Sequence, residues 1–186
     1  EETLQHFFAT SGQNVARAER GAGIKHHVTL SIVGVDRVHG NPYYAAKTLQ
    51  EAAAKDSGVP YTIARSTQFY EFFPTIAGGF SKGSVVALPA ALLQPVSADD
   101  VAAALTQVVL GAPKDGPWFI GGPERATLAT WIRRVFEVTS DRRTVEVDPK
   151  ATWFGAPLDE DSIVPQAANY VGTTSFAEWA TTPHAK

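Results

Sequence analysis

The chain has no cysteine and no methionine among its 186 residues. The first absence excludes disulfide staples and thiolate metal centres, and it is compatible with a reducing compartment. The second removes any initiator, so Glu1 reads as an internal residue of a longer protein. Long hydrophobic runs are missing too: none approaches the roughly 20 residues of a membrane-spanning helix. The opening Glu1-Glu2-Thr3-Leu4 lacks the basic stretch that begins a secretory leader. Charge of one sign is not in excess. Sixteen Lys and Arg stand against 19 Asp and Glu, for a net charge of -3. That balance, with no basic run, gives no footprint for nucleic acid or an anionic membrane. The five histidines show no metal-ligand spacing. What is present is 44% hydrophobic and 19% charged. This describes an ordinary globular chain, long enough for one domain or one domain with a small appendage. The expected location is cytoplasmic.

The hydrophobic pattern sets the order of elements. Leu4, Phe7, Phe8, Val15 and Ala18 recur at three- and four-residue steps, so Thr3 to Arg20 is a helix, ended by Gly21 and Gly23. His26 to Val33 is a β-branched apolar run short enough for a buried strand. Tyr43 to Ser57 is helical and stopped by Gly58 and Pro60, and Tyr61 to Arg65 is a second buried strand. Helix, strand, helix, strand with short joints predicts a parallel sheet with crossover helices, an α/β chain. After Arg65 come a short helix up to Gly78-Gly79 and a strand over Ser84 to Leu88. Ser97-Ala98-Asp99-Asp100 then opens a helix over Val101 to Leu110. Trp118 to Ile120 returns as a strand, and Thr127 caps a helix to about Val138. Asp141 to Lys186 is polar with no clear period, apart from a short helix at Phe176 to Trp179.

The chemistry concentrates near one point. Tyr43 and Lys47 are four residues apart, which stacks them on one helix face. Ser31 lies twelve residues before Tyr43, at the end of the first strand. A phenol titrates near pH 10, and a neighbouring ammonium favours its ionised form, so Lys47 is expected to lower the Tyr43 pKa. Lys47 also offers three donors to sugar hydroxyls, and Ser31 can polarise a carbonyl. Ligands of open α/β sheets sit at the carboxyl ends of the strands. The second strand ends in Arg65-Ser66-Thr67-Gln68-Phe69, so that loop should border the same crevice.

Ser31 with Tyr43-Tyr44-Ala45-Ala46-Lys47 resembles the short-chain dehydrogenase/reductase superfamily. Further blocks narrow the resemblance: Leu30-Ser31-Ile32-Val33-Gly34, Tyr61-Thr62-Ile63-Ala64-Arg65, Thr67-Gln68-Phe69, Gln94 through Ala102, and Gly121-Gly122-Pro123-Glu124. As a set, in order along nearly the whole chain, they resemble its atypical NmrA-like branch. The resemblance implies a Rossmann fold binding NAD(P)(H), either NAD or NADP. Tyr43 would be acid/base, Lys47 would lie on the nicotinamide ribose, and Ser31 on the substrate carbonyl. Ser66, Thr67, Gln68 and Phe69 would abut the nicotinamide. Residues 1–66 would be the C-terminal half of the dinucleotide-binding domain. Residues 67–186 would be a small α+β substrate region with a returning strand near 117–121.

One departure is large. Such proteins open with a strand, a glycine-rich turn and a helix that hold the pyrophosphate. Gly21-Ala22-Gly23 lacks a third glycine and follows a helix instead of a strand. The expectation is an N-terminally truncated, partial Rossmann sheet. Its first strand would stand fifth in the order 3-2-1-4-5-6, with an apolar edge open to a second copy. The function expected of the parent is NAD(P)H-dependent reduction of a small carbonyl, quinone or similar acceptor. The alternatives are a non-catalytic dinucleotide sensor of NmrA type, and a fragment that binds nothing. The plainer readings make Tyr44 a packing residue and His26 and His27 structural. They make Asp99 and Asp100 helix-start residues, and Trp131 with Val135 a buried helix face. Phe69, Phe72 and Phe73 would serve either a substrate pocket or the core.

Overall fold

A computed structural model describes residues 2–183, with side chains from Leu4 onward. In chain order the elements are α1 (Glu2–Ala22), β1 (His27–Ile32), α2 (Pro42–Lys55) and β2 (Tyr61–Ser66). A 3-10 turn (Tyr70–Phe72), α3 (Phe73–Gly79), β3 (Ser81–Lys82), β4 (Val85–Leu88) and β5 (Leu92–Leu93) follow. Then come α4 (Ala98–Leu110), β6 (Gly116–Gly121), β7 (Ala126–Thr127) and α5 (Leu128–Thr139). The chain closes with β8 (Thr144–Val147), β9 (Tyr170–Val171) and α6 (Phe176–Trp179). Among the described residues no helix is long and apolar enough to cross a membrane.

The main sheet has the order β1-β2-β6-β9, and every pairing in it is parallel. It is covered on both faces, as parallel sheets require. Val28 and Leu30 join Ala64, Trp118 and Ile120 in a cluster with Val101, Ala104 and Val108 of α4. The alternate residues Thr29 and Ser31 point the other way, where Ser31 meets Glu51 of α2. The α/β class and the parallel sheet thus match the sequence expectation. The N–H groups of His27 and Val33 donate to Pro60 and Ser66 carbonyls at 2.8 and 2.9 Å, so odd-numbered backbone faces β2. The Leu30 carbonyl therefore faces the opposite edge. Among the described residues no strand pairs there, and the carbonyl accepts a bond from Lys47 at 2.7 Å.

Local chemistry explains the boundaries. Gly23 has φ +65 and donates to Arg20 O, while Ile24 donates to Glu19 O, the paired bonds of a left-handed helix stop. Gly21-Ala22-Gly23 is thus how α1 ends. Ser97 and Thr127 cap α4 and α5 by accepting from Asp100 N and Thr130 N. Trp131 and Val135 are buried, as expected of one helix face, in a larger cluster around Tyr70, Phe73, Phe176 and Trp179.

The unpatterned stretch after Asp141 holds two strands that the sequence did not reveal. β8 adds in parallel to β4, which also pairs antiparallel with β3. β9 is two residues that close the main sheet against Ile120 and Gly121. Neither is long enough to show a period.

Asp100 is a structural carboxylate. It accepts from Ser97 Oγ at 2.9 Å, from Thr174 N at 3.0 Å and from Thr173 N at 3.2 Å, joining α4 to the segment before α6. Burial opposes its ionisation, but those donors outweigh burial and hold its pKa below 3.8. A depressed carboxylate adds stability that is present above its unfolded pKa and lost as pH falls through the folded value. Asp100→Asn should therefore cost about 1.5–3 kcal/mol at pH 7. The gap to wild type should hold above about pH 4 and narrow as pH falls below it in thermal melts. A gap unchanged by pH would mean that the charge is not what binds the segment.

Candidate active site

The start of α2 is built by its sequence. Asn41 is the N-cap and accepts from Tyr43 N at 2.9 Å and Tyr44 N at 3.2 Å, while Pro42 fills the first helical position. The Asn41 amide also donates to the Trp153 carbonyl at 3.2 Å, tying the helix start to a distant hairpin. This fixes where the two phenols emerge.

They emerge into a cleft of about 610 Å³ at the carboxyl ends of β1 and β2. Ser31, Tyr43, Lys47, Ser66, Thr67, Gln68 and Phe69 all line it. The sequence-predicted residues thus share one cleft, but their polar atoms are engaged differently. The Ser31 hydroxyl donates to Glu51 at 2.7 Å, and Glu51 also accepts from Arg65 Nε and Nη2 at 2.9 and 2.8 Å. Arg65 reaches on to Asp36 at 2.6 Å. The register places Ser31 beside Arg65, so the two share Glu51 beneath α2.

The Tyr43 ring is 47% exposed, edge-on to Phe8 and Tyr44. Partial burial raises its pKa above 10. This is the reverse of the lowering expected from Lys47. The spacing brings the two residues to one face, but the ammonium is committed to the Leu30 carbonyl and to Gln50 Oε1. Burial lowers the Lys47 pKa, against the opposing pull of Glu51. Lys47 also lies 5.3 Å from the centre of the Phe8 ring. Tyr44 is buried and its phenol is pushed up to about 12.

The loop after β2 is held by side-chain hydrogen bonds. Thr67 Oγ1 donates to Gln94 O at 2.6 Å, and Ser66 Oγ donates to the Thr67 carbonyl at 3.0 Å. Gln68 is 7% exposed, and its Nε2 sits 3.5 Å from the Tyr44 hydroxyl. Among the described residues its Oε1 has no partner, a buried acceptor left open in the cleft wall. Phe69 packs edge-on to Phe72.

Several site residues were not anticipated. Leu4 and Phe8 come from α1, and Trp153 and Phe154 from the unpatterned C-terminal stretch. The Asn-Pro pair before Tyr43 was the available signal for the cap. His26 and His27 do face opposite ways, to Thr62 at 2.8 Å and to Glu19 at 2.7 Å. Among the described residues no cluster of three or more histidines and carboxylates could hold a metal ion.

No protein-family model matches the chain. A curated relative from Streptomyces griseus, (4-alkanoyl-5-oxo-2,5-dihydrofuran-3-yl)methyl phosphate reductase, is 33% identical over 122 residues. That match takes in 62% of this chain but 42% of the relative, so the chain spans less than half the relative's length. Among solved structures, an NADPH-dependent quinone oxidoreductase of Escherichia coli superposes with a TM-score of 0.65 at 18% identity. The match covers 91% of this chain and 71% of that one. A dTDP-glucose 4,6-dehydratase of Streptomyces venezuelae, solved with NAD, gives 0.65 at 19% identity over 94% of this chain and 63% of that one. A triphenylmethane reductase of Citrobacter gives 0.58 at 18% identity over 79% and 52%. The chain therefore has the Rossmann-type fold of these reductases and dehydratases.

Proposed function

We propose that this chain carries the acceptor side of an NAD(P)H-dependent oxidoreductase of the NmrA-like branch, acting on a small carbonyl, quinone or similar acceptor. The observation that carries this reading is the convergence of Tyr43, Lys47 and the Ser66–Phe69 loop in one cleft at the strand ends. The reductase from Streptomyces griseus and the quinone oxidoreductase from Escherichia coli support it by likeness.

The nicotinamide end of the dinucleotide fits the cleft. The unpaired Gln68 Oε1 is an acceptor suited to a carboxamide N–H, and Lys47 can meet ribose hydroxyls by exchanging its bond to Gln50. The described residues offer no glycine-rich strand-to-helix turn for the pyrophosphate, since Gly21-Ala22-Gly23 ends α1. When bound, the reduced nicotinamide supplies a hydride. The protein's own part is to hold the acceptor oxygen and protonate it. Tyr43, whose raised pKa keeps it protonated at neutral pH, gives its O–H proton to the oxygen that gains negative charge. Hydride plus proton turn a carbonyl into an alcohol, or a quinone into a hydroquinone, so atoms and electrons balance. Ser31 takes part only by releasing Glu51.

The rival reading is a dinucleotide sensor without turnover. It is favoured by the engagement of Ser31 with Glu51 and of Lys47 with Leu30. The two separate in one assay: oxidation of NADH and NADPH followed against a panel of quinones and carbonyls, with dinucleotide binding measured in parallel. Acceptor-dependent oxidation supports the enzyme. Binding with no oxidation by any acceptor supports the sensor.

A further inference from the structure

Residues 153–156 form a two-residue hairpin. Trp153 N donates to Ala156 O at 2.7 Å, and Ala156 N donates to Trp153 O at 3.1 Å. The two central residues, Phe154 and Gly155, have φ of 46° and 96°. Two positive φ values in a row are the mark of a type I′ turn, whose first position prefers Asn, Asp or Gly. A bulky aromatic there is unusual, because its Cβ crowds the backbone. Such strain persists where the surroundings hold it, and it gathers at binding sites.

The surroundings do hold it. Trp153 is buried and stacked on Phe80, which anchors the hairpin. The Phe154 ring lies against the backbone of Gly79, where an added Cβ would come within 2.7 Å of its Cε1. The ring is nevertheless 43% exposed, and it lines the cleft described above. Phe72, 55% exposed at the end of the 3-10 turn, lines the same cleft, as does the half-exposed Tyr43. Phe154 already meets Phe80 and Trp153, Phe72 meets Phe69, and Tyr43 meets Phe8 and Tyr44, yet each leaves about half its surface in water around one concavity, where a ligand can cover it. Among the described lining residues Lys47 is the only charged one, and its ammonium already bonds the Leu30 carbonyl and Gln50. A cationic ligand would lose water there and meet no carboxylate among the described lining residues, and an anionic one would meet only Lys47.

We propose that Phe154 is a specificity-determining residue that, with Phe72, makes this cleft select flat, uncharged, conjugated acceptors of the quinone class over puckered aliphatic ones. This rests on the reading of the cleft as an acceptor site. The left-handed backbone turns the ring out of the core, and Gly79 leaves room for it. A flat ring stacked on Phe154 would shed the water that the two faces now hold, whereas a puckered aliphatic ring cannot lie flush.

The test is a binding measurement that needs no turnover. The probes are 1,4-naphthoquinone and decalin-1,4-dione, which share the carbon skeleton and carbonyl positions but differ in planarity. Binding is followed by calorimetry. The chain has no cysteine for the quinone to alkylate. Wild type should bind the naphthoquinone at least about tenfold more tightly than the dione. Phe154→Asn restores a favoured residue to the turn. It should lower naphthoquinone affinity by about tenfold, leave dione affinity unchanged, and melt at or a few degrees above wild type. Phe72→Leu should weaken naphthoquinone binding in the same direction, and it keeps the test open if the hairpin variant fails to fold. A residue that only packs would behave in the opposite way, with a lower melting temperature and unchanged selectivity. That result, or equal affinity of wild type for the two probes, overturns the proposal. Selective binding in a protein that oxidises no NAD(P)H would support this inference while removing the oxidoreductase reading. Turnover without ring selectivity would do the reverse.

Discussion

Tyr43→Phe should cut acceptor reduction by about 10²–10⁴-fold and leave dinucleotide affinity almost unchanged, because general acid catalysis is typically worth that much. The substitution removes one oxygen and keeps the ring, so the edge contacts to Phe8 and Tyr44 survive. Burial sets the sign of the pH dependence. It holds the phenol above pH 10, so the proton to be donated is present throughout the neutral range. The rate should be flat there and fall only as pH rises past the raised value. Tyr44→Phe is the internal comparison. Its hydroxyl is buried 3.5 Å from Gln68 Nε2, and its loss should act on packing and on the Gln68 amide more than on turnover. Steady-state rates across several acceptors, with dinucleotide binding by calorimetry, decide the matter. Full turnover by Tyr43→Phe with every acceptor would remove the phenol from the chemistry and favour the sensor.

Much of the frame could be read from local signals. β1 and β2 announced themselves as short apolar runs, α2 by its stop at Gly58 and Pro60, and α4 and α5 by their caps at Ser97 and Thr127. Asp99 and Asp100 read correctly as helix-start residues because the Ser97 signature is local in sequence. What was not legible depends on contacts across long stretches of chain. β9 exists because Ile120 and Gly121 offer an edge 50 residues earlier, and β8 because β4 does. The approach of Phe154 to Gly79 has no sequence pattern at all. The spacing of Tyr43 and Lys47 placed both side chains at the cleft, but it could not say where the ammonium would find its acceptor. Leu30 belongs to another element, and its carbonyl is open because β1 is an edge strand among the described residues. For the same reason Ser31 was readable as a hydroxyl at a strand end, whereas its partner Glu51 was not.

Glu51→Ala should destabilise the protein by about 3–5 kcal/mol, because it strands a buried guanidinium. Glu51 is 2% exposed and Arg65 is 6% exposed, and two of the arginine's nitrogens donate to the one carboxylate. Among the described residues the only other carboxylate bonded to that guanidinium is Asp36, whose side chain is 56% exposed, so that solvent weakens the pair. Removing Glu51 therefore leaves most of the desolvation cost of Arg65 uncompensated. For a chain of this size the melting temperature should drop by roughly 6–20 °C. The cost should be far smaller when both charges go together. Glu51→Met with Arg65→Met replaces the pair by apolar volume, and such exchanges are often neutral. A double-mutant cycle on melting midpoints should show strong coupling between contacting partners. The same variants test the site. Freed of Glu51, the Ser31 hydroxyl becomes available to the cleft while Tyr43 and Lys47 keep their own anchors, so acceptor affinity is the quantity to follow at a temperature where the variant stays folded. If Glu51→Ala were as stable as the double replacement, water would be reaching Arg65, and the network beneath α2 would not be the lock that holds Ser31 away from the ligand.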